Sequence, residues 1–307
     1  MNAETTQGDN NNRNTKITFS SLTIRSNKEI QIMDKGFLKI VSIPISVVVE
    51  DNSFLHIGGS YDPLSTVKGI VFKVGNSPVI PATTLKGAVR YQLEHLLIDN
   101  LNKYKGMFNV KYDDYLKPCI PAIGISKAEE SLLSNYRCQI RNNNKYSTCW
   151  LEVDESNIQI PSIGICPVCY FMGAAGIRGF LRFNNLTTQS PDSIIQQPNI
   201  RIDRKTNTAA YKAKVELEQV RGGTVFKGSI DIILEDPVNR LMCITFGYSR
   251  KINNKDLDLW LKDWQENYAK KRMEALINEL LIPATTKITE LGGLKSRGAG
   301  RVRIEIG

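Results

Sequence analysis

Pro81-Ala82-Thr83-Thr84-Leu85-Lys86-Gly87-Ala88-Val89-Arg90-Tyr91-Gln92-Leu93-Glu94-His95-Leu96-Leu97 decides the architecture of this 307-residue chain. Leu85, Ala88, Val89, Leu93, Leu96 and Leu97 recur at helical spacing and make one apolar stripe. Thr83 or Thr84 is the expected N-cap, because a hydroxyl there can accept from an orphan backbone N–H of the first turn. Upstream, residues 37–49 alternate apolar and polar positions as a half-buried strand does. Phe54-Leu55-His56-Ile57-Gly58-Gly59 then reads as a strand running into a glycine pair, where backbone can approach a ligand closely. Residues 60–77 read as a long polar loop.

Downstream, strands are expected at 180–183, 211–220, 224–234, 241–248 and 301–306, with a weak edge strand at 16–25. A second helix is expected over 255–281, stopped by Pro283. A polar, irregular stretch over 100–161 reads as an insertion, and a second polar stretch covers 184–203. Strands alternating with two helices and long loops imply an α+β fold around a split β-α-β unit. Such a sheet leaves one face open, a common way of holding single-stranded RNA.

Apolar residues make up 41% of the chain and charged ones 23%, which excludes a disordered or collagen-like protein. The longest apolar run, 37–49, is broken by Lys39, Ser42, Pro44 and Ser46, so no membrane helix is expected. Residues 1–16 are polar and Asn-rich and read as a disordered tail rather than a signal peptide, which points to a cytoplasmic protein. Forty Lys and Arg against 31 Asp and Glu leave a formal charge of +9, which favours a polyanionic partner.

The position of that charge matters more than its sum. Lys295, Arg297, Arg301 and Arg303 surround Gly292, Gly293, Gly298 and Gly300, where converging backbone N–H groups and flanking cations can hold an anion. Lys86 and Arg90 lie four residues apart near a helix start, whose dipole attracts phosphate. The same pair would also suit the solvated side of an amphipathic helix. Cys166-Pro167-Val168-Cys169, with Cys149 and Cys138 upstream, offers four soft ligands for a structural zinc ion, Cys119 being a substitute. Reduced thiols without metal are the plainer alternative. In the loop after His56, Asp62 could hold a metal-bound water or orient a ribose hydroxyl, although a turn former is the commoner role for such a residue.

His56-Ile57-Gly58-Gly59, the 81–90 segment, Cys166-Pro167-Val168-Cys169-Tyr170-Phe171-Met172-Gly173, Ile202-Asp203-Arg204-Lys205-Thr206 and the 292–300 loop follow one another in an order that resembles the RAMP superfamily of CRISPR proteins. The likeness spans roughly residues 38–307 and is nearest to the backbone subunit that polymerises along guide RNA in type III effector complexes. It implies a single domain over 17–307, with a ferredoxin-like, RNA-recognition-type palm. The insertion at about 100–165 would carry the cysteines in a zinc-binding subdomain, and the one at 184–223 would form a thumb. It implies guide-RNA contacts from Lys86, Arg90, Lys295 and Arg297, with Arg201, Arg204 and Lys205 at the thumb base and His56 and Lys68 near the RNA. Partners would be guide RNA, complementary target RNA, further copies of the chain and other effector subunits, with no membrane. Target-cutting members place an Asp at a position that here holds Lys68; Asp62 is the nearest carboxylate and would need a divalent metal. A metal-free guide-processing ribonuclease using His56 as base is a third possibility.

Overall fold

The computed structural model describes residues 17–59, 67–121, 128, 131, 148–154, 157–237 and 244–307. The strands are β1 (Ser21–Ile24), β2 (Lys28–Lys35), β3 (Leu38–Val49), β4 (Phe54–Leu55), β5 (Val67–Gly69), β6 (Lys73–Val74) and β7 (Ser77–Ile80). After helices α1 (Ala82–Asp99) and α2 (Leu101–Met107) come β8 (Glu152–Asp154), β9 (Asn157–Gln159), the short helix α3 (Pro167–Met172), β10 (Leu181–Phe183) and β11 (Leu186–Thr187). Then follow β12 (Ile194–Ile202), β13 (Ala209–Arg221), β14 (Val225–Asp236), β15 (Ile244–Thr245), β16 (Lys251–Ile252) and β17 (Lys255–Asp256). Helix α4 (Ala269–Leu276) passes through a π-turn (Ile277–Leu281) into α5 (Ile282–Thr286), and β18 (Val302–Ile306) closes the fold.

Strand β3 is the axis of the larger sheet. Its residues Val41, Ile43, Ile45, Val47 and Val49 are buried on one face, as period-two alternation requires. One edge pairs antiparallel with β14 along most of its length. The other edge is shared: β2 pairs with residues 38–41 and β18 with 45–49. Pro44, which has no N–H for a ladder, sits at the break between those two partners, and its carbonyl accepts from Gly307 N at 2.8 Å. Strand β14 carries β10, β11 and β15 antiparallel on its far side. The spatial order β18-β3-β14-β10, with α1 between β3 and β10 in sequence and α4–α5 before β18, is a β-α-β-β-α-β path. A second sheet joins β12, β13 and β4 antiparallel, with β5 parallel to β13.

Helix α1 buries Leu85, Val89, Leu93 and Leu97 fully, in one core with Leu276, Ile277 and Leu280 of the second helical segment. Its cap differs from expectation. Pro81 is the N-cap and donates nothing; Ala82 N instead donates to Asn185 Oδ1 at 2.8 Å, so the helix start is satisfied from the loop after β10.

The second helix, expected over 255–281, starts at Ala269 and runs through Pro283. Leu257, Trp260, Leu261 and Trp264 are buried with a single 3-10 turn (Leu259–Leu261) in place of an α-helix, and Trp260 and Trp264 pack against Phe108, Trp260 also against Tyr170. That cluster encloses Arg250 and Asp258, a fully buried ion pair with Nε–Oδ2 2.8 Å and Nη2–Oδ1 2.5 Å. Pro283 has no N–H to reach the carbonyl four residues back, Glu279, and Tyr104 Oη donates to that carbonyl at 2.9 Å. The helix therefore widens into a π-turn and continues instead of ending.

Residues 60–77, expected as a loop, hold β5, β6 and the start of β7; those at 60–66 lie outside the described residues. Of the strand expected over 241–248, only β15 is described. The expected edge strand narrows to β1, joined by the unexpected β2. The outer backbone of β1 is met by side chains of the second helical segment: Thr23 N donates to Glu274 Oε1 at 2.6 Å, Arg25 N to Asn278 Oδ1 at 2.9 Å, and Asn278 Nδ2 to Thr23 O at 3.1 Å. No helix among the described residues is long and apolar enough to cross a membrane.

Candidate nucleic-acid interface and cysteine centre

The glycine-rich loop is zipped to β4 and to His56 just after it. Gly293 N donates to His56 O at 2.8 Å, Gly300 N to Phe54 O at 2.6 Å, and Ser53 Oγ to Gly298 O at 2.9 Å. At Gly292 a Cβ would lie 2.3 Å from His56 O, so no other residue fits there. Between the left-handed residues Leu294 (φ 61°) and Gly298 (φ 82°), Lys295–Arg297 form one tight 3-10 turn. The N–H groups of Gly293, Arg297, Gly298, Ala299 and Gly300 all bond within the protein, so the glycines serve close packing and turn geometry rather than an open ring of amides. The cations remain outward: Lys295 and Arg297 are exposed, Lys295 3.7 Å from Glu290 and Arg297 Nη1 3.5 Å from Asn199 Oδ1 on β12.

That last contact brings the β12–β13 ribbon to the same face. Arg204 and Lys205 are exposed at its tip, where Lys205 N donates to Asp203 Oδ1 at 2.7 Å; Arg201 lies on β12 between Ile200 and Ile202, where the β12–β13 register shifts. The nine-residue strand β12 was not expected within the polar 184–203 stretch. Asp62 lies outside the described residues, and Lys68 sits on β5, which pairs with β13.

His56 occupies the junction of these elements. Its Nδ1 is 2.8 Å from Glu218 O, and a carbonyl only accepts, so Nδ1 carries the proton. Glu218 is buried and accepts from Val71 N at 3.1 Å and Lys73 Nζ at 2.9 Å. Together with Gly59 N to Ile70 O (2.7 Å) and Phe72 N to Ile57 O (2.8 Å), these bonds tie residues 56–59 to residues 70–73.

A cleft of about 550 Å³ separates α1 from the glycine loop, lined by Thr83, Thr84, Gly87, Tyr91, Gly292 and Lys295 among others. Tyr91 is exposed and packs against His95, ring centroids 4.4 Å apart. Lys86 is exposed on the same helix. Arg90 is not: its Nε donates to Glu94 at 2.8 Å and its Nη2 to Cys119 O at 3.1 Å. It faces the cysteines, not the cleft.

Cys119, Cys149, Cys166 and Cys169 come together, every Sγ within 4.8 Å of the others and all four buried. Cys119 and Cys149 Sγ are 3.5 Å apart, and Cys166 N donates to Cys149 Sγ at 3.3 Å. Tetrahedral thiolate ligation of zinc, with bonds near 2.3 Å, requires Sγ separations of about 3.8 Å. The four residues therefore can hold a metal ion. Cys138, expected as the fourth member, lies outside the described residues, and Cys119 occupies that place. Nor do the cysteines form a separate subdomain: all four belong to the main core. Burial works against the Arg90 charge, but Cys169, Glu94 and Cys166 beside it hold its pKa above the ordinary value. Burial pushes the Glu94 carboxyl up to about 7 against the pull of Arg90.

Two solved structures resemble the fold distantly. They are titled as the type III-B Cmr-beta complex in the apo state (14% identity, TM-score 0.39) and as Type III-B Cmr-beta bound to cognate target RNA (13%, 0.39). Each alignment covers 86% of this chain and 96% of the other. No curated protein matches the sequence. The profile of the RAMP superfamily matches residues 52–303, a span that holds His56, the ribbon, the cysteine centre and the glycine loop, and the chain is a member of that superfamily.

Proposed function

We propose that this protein is a guide-RNA-binding backbone subunit of a type III CRISPR effector complex in the cytoplasm, arrayed with copies of itself and with other effector subunits, and presenting complementary target RNA in antiviral defence. The observation that carries the reading is the convergence of exposed cations on one face: Lys295 and Arg297 on a turn pinned to the His56 strand, and Arg297 against the β12–β13 ribbon. Such cations grip the phosphate backbone without reading sequence, which leaves selection to base pairing. The β18-β3-β14-β10 order supports a ferredoxin-like palm over 17–307, with the ribbon as thumb, and Lys86, Arg201, Arg204, Lys205 and Lys68 as further RNA contacts. The four gathered cysteines support a structural zinc ion. Because Lys68 holds the position expected of a target-cutting carboxylate, the role proposed is binding and presentation.

The test is single-stranded RNA binding across a salt series. Affinity falls linearly on a log–log plot, and K295A and R297A each reduce the slope by about one. Binding that is indifferent to salt would remove the reading.

A further inference from the structure

Helix α1 presents one exposed aromatic ring to the cleft beside the glycine loop. Tyr91 is 57% exposed and, with Gly87 one turn earlier, lines that cleft of about 550 Å³. A long side chain on a helix leans back over the residue four positions before it, and for Tyr91 that residue is Gly87. A Cβ at Gly87 would meet nothing within 4 Å, so the space over it is open. Glycine inside a helix is less stable than alanine, and no close packing among the described residues calls for it here. On the other side of the ring stands His95, one turn later, with centroids 4.4 Å apart and planes at 59°. Tyr91 therefore has one supported side and one open side, and the open side shares the cleft with Gly87.

The rest of the lining says what fits there. Its charged groups are Glu290 and Lys295, an exposed ion pair at 3.7 Å, so the cleft itself carries no net charge. A phosphate entering it would meet the Glu290 carboxylate as well as the Lys295 ammonium. Thr83 and Thr84 make no cap bond to α1, and with Gln92 they offer donors and acceptors to the cleft. A neutral, flat group with a polar edge matches that set. An apolar side chain of another protein matches it less well, because hydroxyls, an amide and an ion pair surround the one ring.

We propose that the cleft receives an unpaired nucleobase, stacked on Tyr91, from a strand whose phosphates stay outside it. The proposal rests on the nucleic-acid reading above and deepens it, adding a base contact to a grip on the backbone. Every base has a π-face, so stacking adds affinity without choosing a sequence. Lys86 on α1 and Arg297 on the 3-10 turn, both exposed and neither lining the cleft, suit the phosphates on either side of that base.

The experiment measures binding of oligoadenylate, and of an abasic ribose-phosphate strand of the same length, to the full chain as wild type, Y91A, Y91F and G87L. Leucine is a better helix former than glycine and a Cβ at position 87 meets nothing, so G87L fills the cleft and melts no lower than wild type. Wild type prefers oligoadenylate about tenfold, the worth of one stacked base. Y91A and G87L lose that preference and bind the abasic strand within about twofold of wild type, with an unchanged salt slope, whereas Y91F keeps it. A wild type that binds both strands alike, or a preference that survives in Y91A and G87L, overturns the assignment while leaving RNA binding intact. So does altered self-association of Y91A or G87L in sedimentation with wild-type RNA affinities, since the cleft would then hold a neighbouring copy. A wild type that binds neither strand overturns the nucleic-acid reading itself.

Discussion

Replacing Cys119 and Cys138 in turn by serine separates two ways of completing the cysteine centre. Cys119 is 3% exposed and its Sγ sits 3.5 Å from that of Cys149, close to the tetrahedral edge of about 3.8 Å. Structural zinc contributes about 10–16 kcal/mol at neutral pH, or about 3–4 kcal/mol for each of four thiolates. C119S therefore weakens zinc binding by about 10²–10³-fold. Wherever free zinc saturates the wild type, that loss appears as destabilisation of the same size. At about 2–4 °C per kcal/mol for a chain this long, melting falls by about 6–16 °C. The assay is metal content by mass spectrometry after dialysis against a chelator, with melting followed by circular dichroism in both conditions. C119S should lose its zinc and melt like chelator-treated wild type, whereas C138S keeps both. If C119S retained one zinc per chain and C138S lost it, the ligand set would be refuted.

R90A should leave the slope of RNA affinity against salt unchanged, in contrast to K295A, and should instead speed the release of metal to a chelator; a reduced slope would return Arg90 to the RNA face. Tyr104→Phe costs about 1–2 kcal/mol in urea unfolding, because Glu279 O loses its donor, and Pro283→Ala in the same chain restores part of it by supplying an N–H. Burial, with Glu279 nearby, pushes the Tyr104 phenol up to about 12, above the unfolded value near 10. Its contribution to stability is thus complete below about pH 10 and is lost as pH rises through 12, and Y104F flattens that part of the pH–stability curve. Arg250→Leu costs about 3–5 kcal/mol by stranding the Asp258 carboxylate, and adding Asp258→Leu recovers much of the loss in the same denaturation assay.

What could be read from residue order is what neighbours in sequence decide. The α1 stripe is local, so its period survives any tertiary context. The ribbon is two-sided and polar around Gln196, Gln197 and Asn199, so β12 had no buried face to announce it. Cys119 stands thirty residues from Cys149, and no spacing rule links them; the fold does, by burying both in one core. Arg90 looked solvated on a helical wheel because the segment that covers it arrives from Cys119. His56 and Glu218 are 162 positions apart, and only the pairing of β4 with β13 makes them neighbours. The helix expected from 255 begins only at Ala269, because Trp260 and Leu261 on a 3-10 turn are buried beside the Arg250–Asp258 ion pair, a partner 8 positions away that residue order does not announce.

The side chains that answer the outer backbone of β1 bear on how copies of this chain can line up. An open strand edge is a template for another strand, and a protein that works as an array at high local concentration would risk joining sheets side by side. Glu274 and Asn278 occupy the donors and acceptors that such growth would use. Edge-to-edge growth at β1 is thereby closed off by two residues of one helical segment, so a neighbour of any kind has to be met through side chains.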